Sequence, residues 1–268
     1  MSESEQPVIA VKNLIKRFGD LTVLDGINVE LPRGKITVIM GGSGCGKTTL
    51  LRHLIALHQP TSGEIFVDGQ NIVGLKEKEM NEVRRKYGML FQGSALFNSM
   101  TVGENVAVPL KEHTDLSPEI IRIIVRVKLE LVGLTGFEDF MPHQISGGMK
   151  KRVALARAIA LDPKIVFYDE PGAGLDPITA SMIDRLILDL SKKLNITSVV
   201  VSHEMKSAFR IADKIIILHK GKVLQVGTAE EVKNSTDSYV QQFIHGESEG
   251  VIPFKQTSEA YLKGLLST

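Results

Sequence analysis

The alternation of apolar and polar positions predicts β-structure at the N-terminal end of the chain. Ile27, Val29 and Leu31 are separated by polar residues, which is the period of a half-buried strand. Residues 36–40 form a short and continuous apolar run, as expected for a central strand that is buried on both faces. A glycine-rich segment follows, and the next apolar positions predict a helix over residues 48–57.

The middle of the chain has a helical pattern. Thr101 and Glu104 have the spacing of a capping box, in which two side chains satisfy the first backbone N–H groups of a helix. Ser117 and Pro118 predict the start of another helix, because proline is tolerated at a first helical position. The sequence therefore predicts an inserted helical subdomain at about residues 96–160. The apolar stripe of its second helix is formed by Ile121, Val125, Leu129 and Val132.

Strands and helices alternate in the last third of the chain. Apolar, strand-like runs at residues 165–168, 197–201 and 215–218 are separated by helical segments. This alternation is typical of a mostly parallel sheet with helices on its faces. We therefore predict an α/β fold in which the core is a mostly parallel sheet.

The composition of the 268-residue chain is that of a globular protein, with 43% hydrophobic and 24% charged residues. The net charge of +1 argues against a polyanionic partner such as nucleic acid. Cys45 is the one cysteine, which excludes a disulfide within the chain and fits a reducing compartment. No apolar stretch approaches the roughly 18 residues that a membrane helix needs. Residues 1–7 also lack the pattern of a secretory signal.

Residues 41–48 match the phosphate-binding pattern G-x-x-x-x-G-K-[ST], between a predicted strand and a predicted helix. Glycines allow backbone N–H groups to approach phosphate oxygens, and the positive end of the following helix faces the same anion. Lys47 adds a positive charge for the β- and γ-phosphates, and Thr48 offers a hydroxyl to Mg²⁺. We interpret Cys45 as a filler at a variable position. The predicted contacts to ATP in this loop are Gly41, Gly42, Ser43, Gly44, Cys45, Gly46, Lys47, Thr48 and Thr49.

Asp169 and Glu170 follow directly after the apolar run at residues 165–168. Ligands of α/β proteins bind at the carboxyl ends of the strands, so both carboxylates are expected near the phosphates. Asp169 is predicted to hold Mg²⁺ through water, and Glu170 is predicted to polarise the attacking water as a general base. The alternative is a pair of merely solvated carboxylates, which the phosphate-binding pattern disfavours.

Ser146, Gly147 and Gly148 precede a helix that carries several basic residues. Ser146 is a favourable N-cap residue, and the two glycines allow a ligand to approach the backbone closely. The alternative is an ordinary helix start with a solvated basic face, and these residues alone do not decide between the two. The basic residues concerned are Lys150, Lys151, Arg152 and Arg157.

The three segments occur along the chain in the same order as in the ATP-binding subunits of ABC transporters. The chain resembles those subunits over about residues 8–245. The resemblance implies a P-loop NTPase (RecA-like) fold with an N-terminal antiparallel β subdomain, and hydrolysis of ATP with Mg²⁺. It also implies a homodimer with two ATP molecules between its copies, in which the Ser-Gly-Gly segment reaches the γ-phosphate bound by the second copy. The family pattern is Leu-Ser-Gly-Gly-Gln. Ile145 and Met149 replace its outer residues, but the backbone and hydroxyl donors remain, so we expect activity.

Further positions match functional positions of that family. The resemblance implies that Gln92 contacts Mg²⁺ or the attacking water, and that it faces a membrane partner. His203 is implied to contact the γ-phosphate, and Phe18 to stack on adenine, although Phe18 also suits a hydrophobic core. Residues 174–176 are implied to communicate across the dimer. The expected catalytic residues are therefore Glu170, His203 and Gln92, and the expected metal-binding residues are Thr48, Gln92 and Asp169.

Residues 91–114 and 146–149 resemble the ATPases of the Mla phospholipid transporters of Gram-negative bacteria, which belong to the Mce-associated systems. Residues 252–254 add to this resemblance. It implies three partners: a membrane permease, a small STAS-domain protein and a periplasmic Mce-type lipid-binding protein. It also implies a position at the cytoplasmic face of the inner membrane and a role in outer-membrane lipid asymmetry.

Other functions remain as alternatives. The motor of an amino-acid-type importer and a soluble ATPase of translation or repair share the same core motifs. The single phosphate loop, the lack of a long heptad run and the near-neutral charge disfavour the soluble class. The apolar residues 95–97 and Met100 suit either the core of the helical subdomain or a groove for a permease helix. Residues 246–268 are predicted to form a tail that packs on a partner, such as the second copy.

Overall fold

The structure of the chain is a computed structural model that describes residues 6–247 and residue 250. Within these residues the strands are β1 (Ile9–Phe18), β2 (Leu21–Leu31), β3 (Ile36–Gly41), β4 (Ser62–Val67), β5 (Gln70–Asn71), β6 (Tyr87–Leu90), β7 (Ile165–Asp169), β8 (Thr197–Val201), β9 (Lys214–His219) and β10 (Lys222–Gly227). The α-helices are α1 (Lys47–Leu54), α2 (Glu77–Arg84), α3 (Val102–His113), α4 (Pro118–Leu131), α5 (Gly147–Ala158), α6 (Pro177–Leu194), α7 (Met205–Ile211), α8 (Ala229–Lys233) and α9 (Ser238–His245).

The smaller sheet is antiparallel and has the strand order β2-β1-β4-β5. Val11 of β1 pairs with Val29 of β2 and with Ile65 of β4, and all three side chains are buried. Asp68 and Gly69, between β4 and β5, have φ values of 48° and 79°, which is the geometry of a tight two-residue hairpin turn. This sheet is the antiparallel β subdomain that the family resemblance implies.

The larger sheet has the strand order β10-β9-β3-β8-β7-β6. Neighbours from β9 to β6 are parallel, whereas β10 is antiparallel to β9. Every residue of β3 and β8 is buried, as expected for central strands covered on both faces. Val38 and Met40 pack into the core under helices α3 to α7, whereas Ile39 packs into the core shared with α1 and the antiparallel sheet. The loops after β3, β7 and β8 therefore meet at one edge of the sheet.

Three predicted helix starts are confirmed. The Glu104 N–H donates to the Thr101 hydroxyl at 3.2 Å, and the Thr101 N–H donates to the Glu104 carboxylate at 2.8 Å. Pro118 is the first residue of α4. Ser146 caps α5, because its hydroxyl accepts a hydrogen bond from the Met149 N–H at 3.3 Å. Helices α3, α4 and α5 pack on one another and form the helical insertion between β6 and β7.

Some boundaries differ from the sequence prediction. Helix α1 ends at Leu54, because Ala56 has a left-handed φ of 58° that stops the helix. The sequence pattern did not predict α2, since Met80 and Val83 are its two buried residues and they give only a short apolar stripe.

The observed architecture confirms the predicted α/β fold class, with a mostly parallel sheet, an antiparallel sheet and inserted helices. Among the described residues, no helix is long and apolar enough to cross a membrane. The predicted partner-binding tail at residues 246–268 lies outside the described residues, apart from residues 246, 247 and 250.

Candidate functional site

The phosphate loop connects β3 to α1, and its glycines have conformations that other residues rarely adopt. Gly41, Gly44 and Gly46 have φ values of 149°, 73° and 106°. A Cβ atom on Gly41 would lie 2.3 Å from the carbonyl oxygen of Leu218, and one on Gly46 would lie 3.0 Å from the carbonyl oxygen of Val23. Close packing against β9 and β2 therefore requires glycine at both positions.

Lys47 lies across this loop. Its ammonium donates to the carbonyl oxygens of Gly41 at 2.8 Å and Gly42 at 2.9 Å. Cys45 is buried beneath it, with Sγ at 4.0 Å from the Lys47 Nζ atom. Burial raises the pKa of the Cys45 thiol, although the Lys47 charge opposes this change. The neutral thiol therefore fills space under the loop, in agreement with its interpretation as a filler.

Asp169 ends β7 at the same edge of the sheet as the phosphate loop. Burial raises the pKa of Asp169, and the neighbouring Glu170 raises it further. The charges of Arg52, Lys151 and Lys47 act in the opposite direction. Because β3, β8 and β7 are parallel neighbours in one sheet, the phosphate loop after β3 and the acidic end of β7 lie at the same edge of that sheet.

Glu170 is held in a left-handed conformation, with φ of 49°. Its N–H donates to the carbonyl oxygen of Val201 at 2.9 Å, and its carbonyl oxygen accepts from the Ala173 N–H at 3.1 Å. Its carboxylate Oε2 lies 2.8 Å from Nδ1 of His203. A non-glycine residue in this region costs about 1–3 kcal/mol and persists only where its surroundings hold it, so the turn stores strain at a candidate catalytic residue. Glu170 and His203 are thus brought together by the ends of β7 and β8.

Gln92 follows β6, with an exposed side chain. Its carbonyl oxygen accepts a hydrogen bond from the Lys151 ammonium, which also donates to the Glu170 carbonyl oxygen at 3.4 Å. Arg157 donates to the carbonyl oxygens of Ala95 at 2.7 Å and Ser94 at 2.8 Å. The interpretation of this helix as a solvated basic face is therefore wrong for Lys151 and Arg157, because both bind carbonyl groups of the segment after β6.

Ser146 and Gly147 are exposed at the N-terminal end of α5. A Cβ atom on Gly148 would lie 2.5 Å from Cγ2 of Thr179, so this glycine allows α5 to approach α6 closely. Within the described part of the chain, no hydrogen bond or ring contact connects this segment to the phosphate loop. The structure does not bring Ser146, Gly147 and Gly148 together with the rest of the site in one copy.

Phe18 lies at the end of β1, and its side chain is 48% exposed. The Lys16 Nζ atom lies 5.0 Å from the centre of the Phe18 ring, and the His58 ring approaches its edge at 6.4 Å. This exposure excludes the interpretation of Phe18 as a core residue. An open aromatic face next to a cation remains compatible with stacking on a base.

Tyr239 of α9 is a neighbour of the phosphate loop that sequence reasoning missed. A Cβ atom on Gly42 would lie 3.3 Å from the Tyr239 hydroxyl, and the Tyr239 ring packs on His219 with ring centres 3.9 Å apart. Burial raises the pKa of Tyr239. No local pattern marks a tyrosine almost two hundred residues from the loop, so only the fold reveals this contact.

An apolar groove lies beside the Gln92 segment. It has a volume of about 620 Å³, and its walls include Phe91 and Phe97, whose side chains are 40% and 49% exposed. Leu96, in contrast, packs against the core under the helices. Leu96 therefore agrees with the core interpretation, whereas Phe97 lines the groove, and binding of a permease helix there stays a prediction.

Comparison with known proteins agrees with this geometry. The sequence profile of the ABC transporter family matches residues 24–173. The chain is 48% identical over 260 residues to the intermembrane phospholipid transport system ATP-binding protein MlaF of Haemophilus influenzae, and the alignment covers 97% of this chain and 98% of that protein. It is 42% identical over 266 residues to the protein of the same name from Escherichia coli K12, with 99% of each covered.

A solved ABC cassette extends the comparison to three dimensions. This dimeric structure, in a post-hydrolysis state with ADP and phosphate bound, superimposes with a TM-score of 0.76. Its sequence is 33% identical, and the match covers 82% of this chain and 98% of the cassette. The expected family, fold and ATPase class are therefore confirmed. The chain belongs to the ABC transporter family, as a subunit that binds and hydrolyses ATP.

Proposed function

We propose that the chain is the ATP-driven motor of a transporter that moves phospholipid between the inner and outer membranes of a Gram-negative cell. The nearly full-length similarity to two intermembrane phospholipid transport proteins supports phospholipid as the substrate. The distance of 2.8 Å between Glu170 and His203 beside the phosphate loop supports hydrolysis of ATP. Together they favour an ATPase whose work serves outer-membrane lipid asymmetry.

ATP binds along the edge where β3 and β7 end. The backbone N–H groups of residues 41–49 surround the β- and γ-phosphates, and the N-terminus of α1 faces the same charge. Lys47 exchanges its carbonyl partners Gly41 and Gly42 for phosphate oxygens, which are stronger acceptors. Phe18 stacks on the adenine with its exposed face.

The residues present fit a magnesium ion. Mg²⁺ prefers oxygen ligands and keeps several waters, so it needs only one or two protein ligands besides the phosphates. Thr48 supplies a hydroxyl, Asp169 a carboxylate and Gln92 an amide oxygen. The pKa of Asp169 is raised by burial and by Glu170, so a cation beside this carboxylate offsets an unfavourable concentration of negative charge. Bound Mg²⁺ neutralises charge on the phosphates during hydrolysis.

Glu170 and His203 act on the attacking water. The Glu170 carboxylate accepts a proton from water that is aligned with the γ-phosphate. His203 fixes the orientation of that carboxylate through Nδ1 and contacts the γ-phosphate through its other nitrogen. Gln92 completes the site from the segment after β6. Each of these side chains lies on a different strand end, so the whole arrangement depends on the order of the parallel strands.

A second copy of the chain completes the site. Ser146 and Gly147 are exposed at the start of a twelve-residue helix, where N–H groups and the helix dipole favour an anion. They make no hydrogen bond with the phosphate loop of their own copy within the described residues, so they are available to the γ-phosphate held by another copy. Two ATP molecules are then sandwiched in a homodimer, in line with the dimeric state of the related cassette.

The groove that contains Phe91 and Phe97 receives a helix of a membrane permease, which holds the motor at the cytoplasmic face of the inner membrane. Its open aromatic walls suit an apolar helix. A small STAS-domain protein and a periplasmic Mce-type lipid-binding protein complete the assembly. Gln92 directly follows Phe91, which lines the groove. A permease helix in the groove is thereby coupled to the hydrolytic site.

The test is purification of the tagged chain from detergent-solubilised membranes, followed by identification of proteins and lipids. The expected result is a complex with a permease and bound phospholipid, whose ATPase rate depends on an intact dimer. A complex that contains a soluble-substrate binding protein and no lipid would instead support an importer of small solutes. Recovery of the ATPase without any membrane protein would contradict the transport function.

A further inference from the structure

Lys151 is a buried cation in a position that packing alone does not explain. Its side chain lies on α5 and is 4% exposed. Burial lowers the pKa of Lys151, whereas the charges of Asp169 and Glu170 act in the opposite direction. Transfer of an ammonium group into the protein interior is unfavourable unless it is paired and hydrogen-bonded. The hydrogen bonds that Lys151 makes therefore determine whether its burial is tolerated.

Those contacts join two parts of the hydrolytic site that are far apart in sequence. The Lys151 ammonium donates to the carbonyl oxygen of Gln92 and, at 3.4 Å, to that of Glu170. The Glu170 carbonyl belongs to the strained left-handed turn with φ of 49°. A hydrogen bond from the Lys151 ammonium to this carbonyl therefore stabilises the backbone conformation that orients the Glu170 carboxylate. The Gln92 carbonyl belongs to the segment that borders the apolar groove. One ammonium thus links the backbone of the segment after β6 to the backbone of the turn after β7.

The same helix also carries Ser146 at its N-terminal end. Lys151 is five positions after Ser146, which corresponds to about 7.5 Å along the helix axis. Helix α5 packs against α3 and α6, so Ser146 and Lys151 are held on one element of the core.

We propose that Lys151 is a positioning residue for ATP hydrolysis, which holds the Gln92 segment and the Glu170 turn at a fixed separation. It touches neither water nor phosphate, and it acts through the backbone of the two residues that do. The inference rests on the proposed roles of Glu170 and Gln92. Loss of this link leaves the phosphate loop intact but lets the two side chains drift apart, and misplacement by about 1 Å costs about 100-fold in rate.

The test compares Lys151→Met with Lys151→Arg in the purified full-length chain. Methionine keeps the length of the side chain without a donor, so kcat is expected to fall about 10- to 100-fold while the Kd for ATP changes less than about threefold. Arginine retains a cation with several donors and is expected to restore most of the rate. A lower kcat with a nearly unchanged Kd, together with recovery of the rate in Lys151→Arg, distinguishes positioning from a general loss of structure.

Lys128→Met is the matched control. Lys128 is also buried, at 5% exposed, but its ion pair with Asp162 lies in the helical subdomain and touches no residue of the site. Its kcat is expected to match the wild-type value. If Lys151→Met fails to fold, Lys151→Gln, which keeps an amide donor without the charge, provides the same comparison of kcat with Kd.

Three results would overturn the inference: a Lys151→Met enzyme with wild-type kcat, a parallel loss of kcat and ATP affinity, or an arginine variant as slow as the methionine variant. Failure of the proposed function has a different signature. In that case the wild-type chain lacks ATPase activity, or Glu170→Gln retains it, whatever the behaviour of the Lys151 variants.

Discussion

The Nδ1 atom of His203 lies 2.8 Å from Oε2 of Glu170. This contact joins the end of β8 to the end of β7, and it pairs a carboxylate that is 13% exposed with an imidazole that is 62% exposed. Protonation of Nδ1 makes the histidine a donor to the carboxylate and leaves its other nitrogen for a ligand. The pair therefore has one member that is largely enclosed by the protein and one that is open to solvent.

Glu170→Gln is expected to lower the ATPase rate by about 10²–10⁴-fold, because an amide does not accept the proton of the attacking water. ATP binding should persist, since the phosphate loop is unchanged, and ATP-bound dimers should accumulate. Phosphate release and light scattering after size-exclusion chromatography measure the two effects. Glu112→Gln, on the exposed surface of α3, is the control and should behave as wild type. Wild-type turnover in Glu170→Gln would remove this residue as the base.

His203→Ala is expected to lower kcat by about 100-fold with a smaller effect on ATP affinity, because Glu170 loses the partner that orients its carboxylate. Steady-state kinetics with a separate binding titration distinguish the two quantities. His113→Ala removes an exposed imidazole at the end of α3 and should leave both unchanged. An unaltered kcat in His203→Ala would show that Glu170 is oriented without its histidine partner.

Lys47→Ala is expected to weaken ATP binding by about 10- to 100-fold, which corresponds to the loss of a charged hydrogen bond worth about 1.5–3 kcal/mol. Equilibrium binding of a fluorescent ATP analogue is the measurement. Lys35→Ala, near the start of β3, removes a lysine whose only ion pair is an exposed one with Asp213 among the described residues, so its Kd should not change. Retained affinity in Lys47→Ala would contradict the role of this ammonium.

Gly41→Ala is expected to destabilise the fold more than Gly69→Ala, although both glycines have positive φ. At Gly69 no atom lies within 4 Å of an added Cβ, so the cost is backbone strain of about 1–2 kcal/mol. At Gly41 the added atom also overlaps the Leu218 carbonyl. Urea unfolding of both variants measures the difference. Equal losses of unfolding free energy would mean that the loop moves away from β9 at little cost.

Asp68 gives a pH dependence of stability. Burial raises the pKa of Asp68, but the Arg33 guanidinium at 2.6 Å and the nearby Lys164 and Lys86 outweigh this effect and hold the pKa below its ordinary value. A carboxylate with a lowered native pKa contributes stability above its unfolded pKa of about 3.9, and that contribution is lost as pH falls through the native pKa.

The measurement for Asp68 is the difference in unfolding free energy between wild type and Asp68→Asn. This difference should be largest near about pH 6 and should shrink as the pH falls below about 4. Asp20→Asn, at an exposed position, provides the comparison without an ion pair among the described residues. A difference that does not change with pH would show that the Arg33 contact contributes no charge-dependent stability.

Much of the site could be predicted because several of its parts are short segments of consecutive residues. The positive φ values of Gly41 and Gly46 are a local backbone feature that favours glycine, and the Asp169–Glu170 pair directly follows a buried strand. A short continuous pattern of this kind specifies both conformation and chemistry. The helix starts at Thr101 and Ser146 were predictable for the same reason, since a cap is a contact over three residues.

The environment of Lys151 was not predictable from its neighbours. Its two carbonyl partners lie 59 and 19 residues away, and basic residues at the start of a helix are commonly solvated. The contact of Tyr239 with the phosphate loop has the same origin, because α9 reaches the loop only through the packing around β9. Helix α2 was not predicted, because its two buried side chains are too few to define an apolar stripe along a helix.

The family, the α/β fold and the phosphate-binding loop follow from the amino-acid sequence, because backbone requirements and strand–helix alternation are properties of short segments. Which side chains of distant strands meet depends on the three-dimensional packing. The parallel order of β3, β8 and β7 brings Lys47, His203 and Glu170 to one edge of the larger sheet. Packing also buries Lys151, whose ammonium donates to the carbonyl oxygens of two separate loops. Such contacts arise from the three-dimensional order of the strands, and no segment of the sequence contains that order.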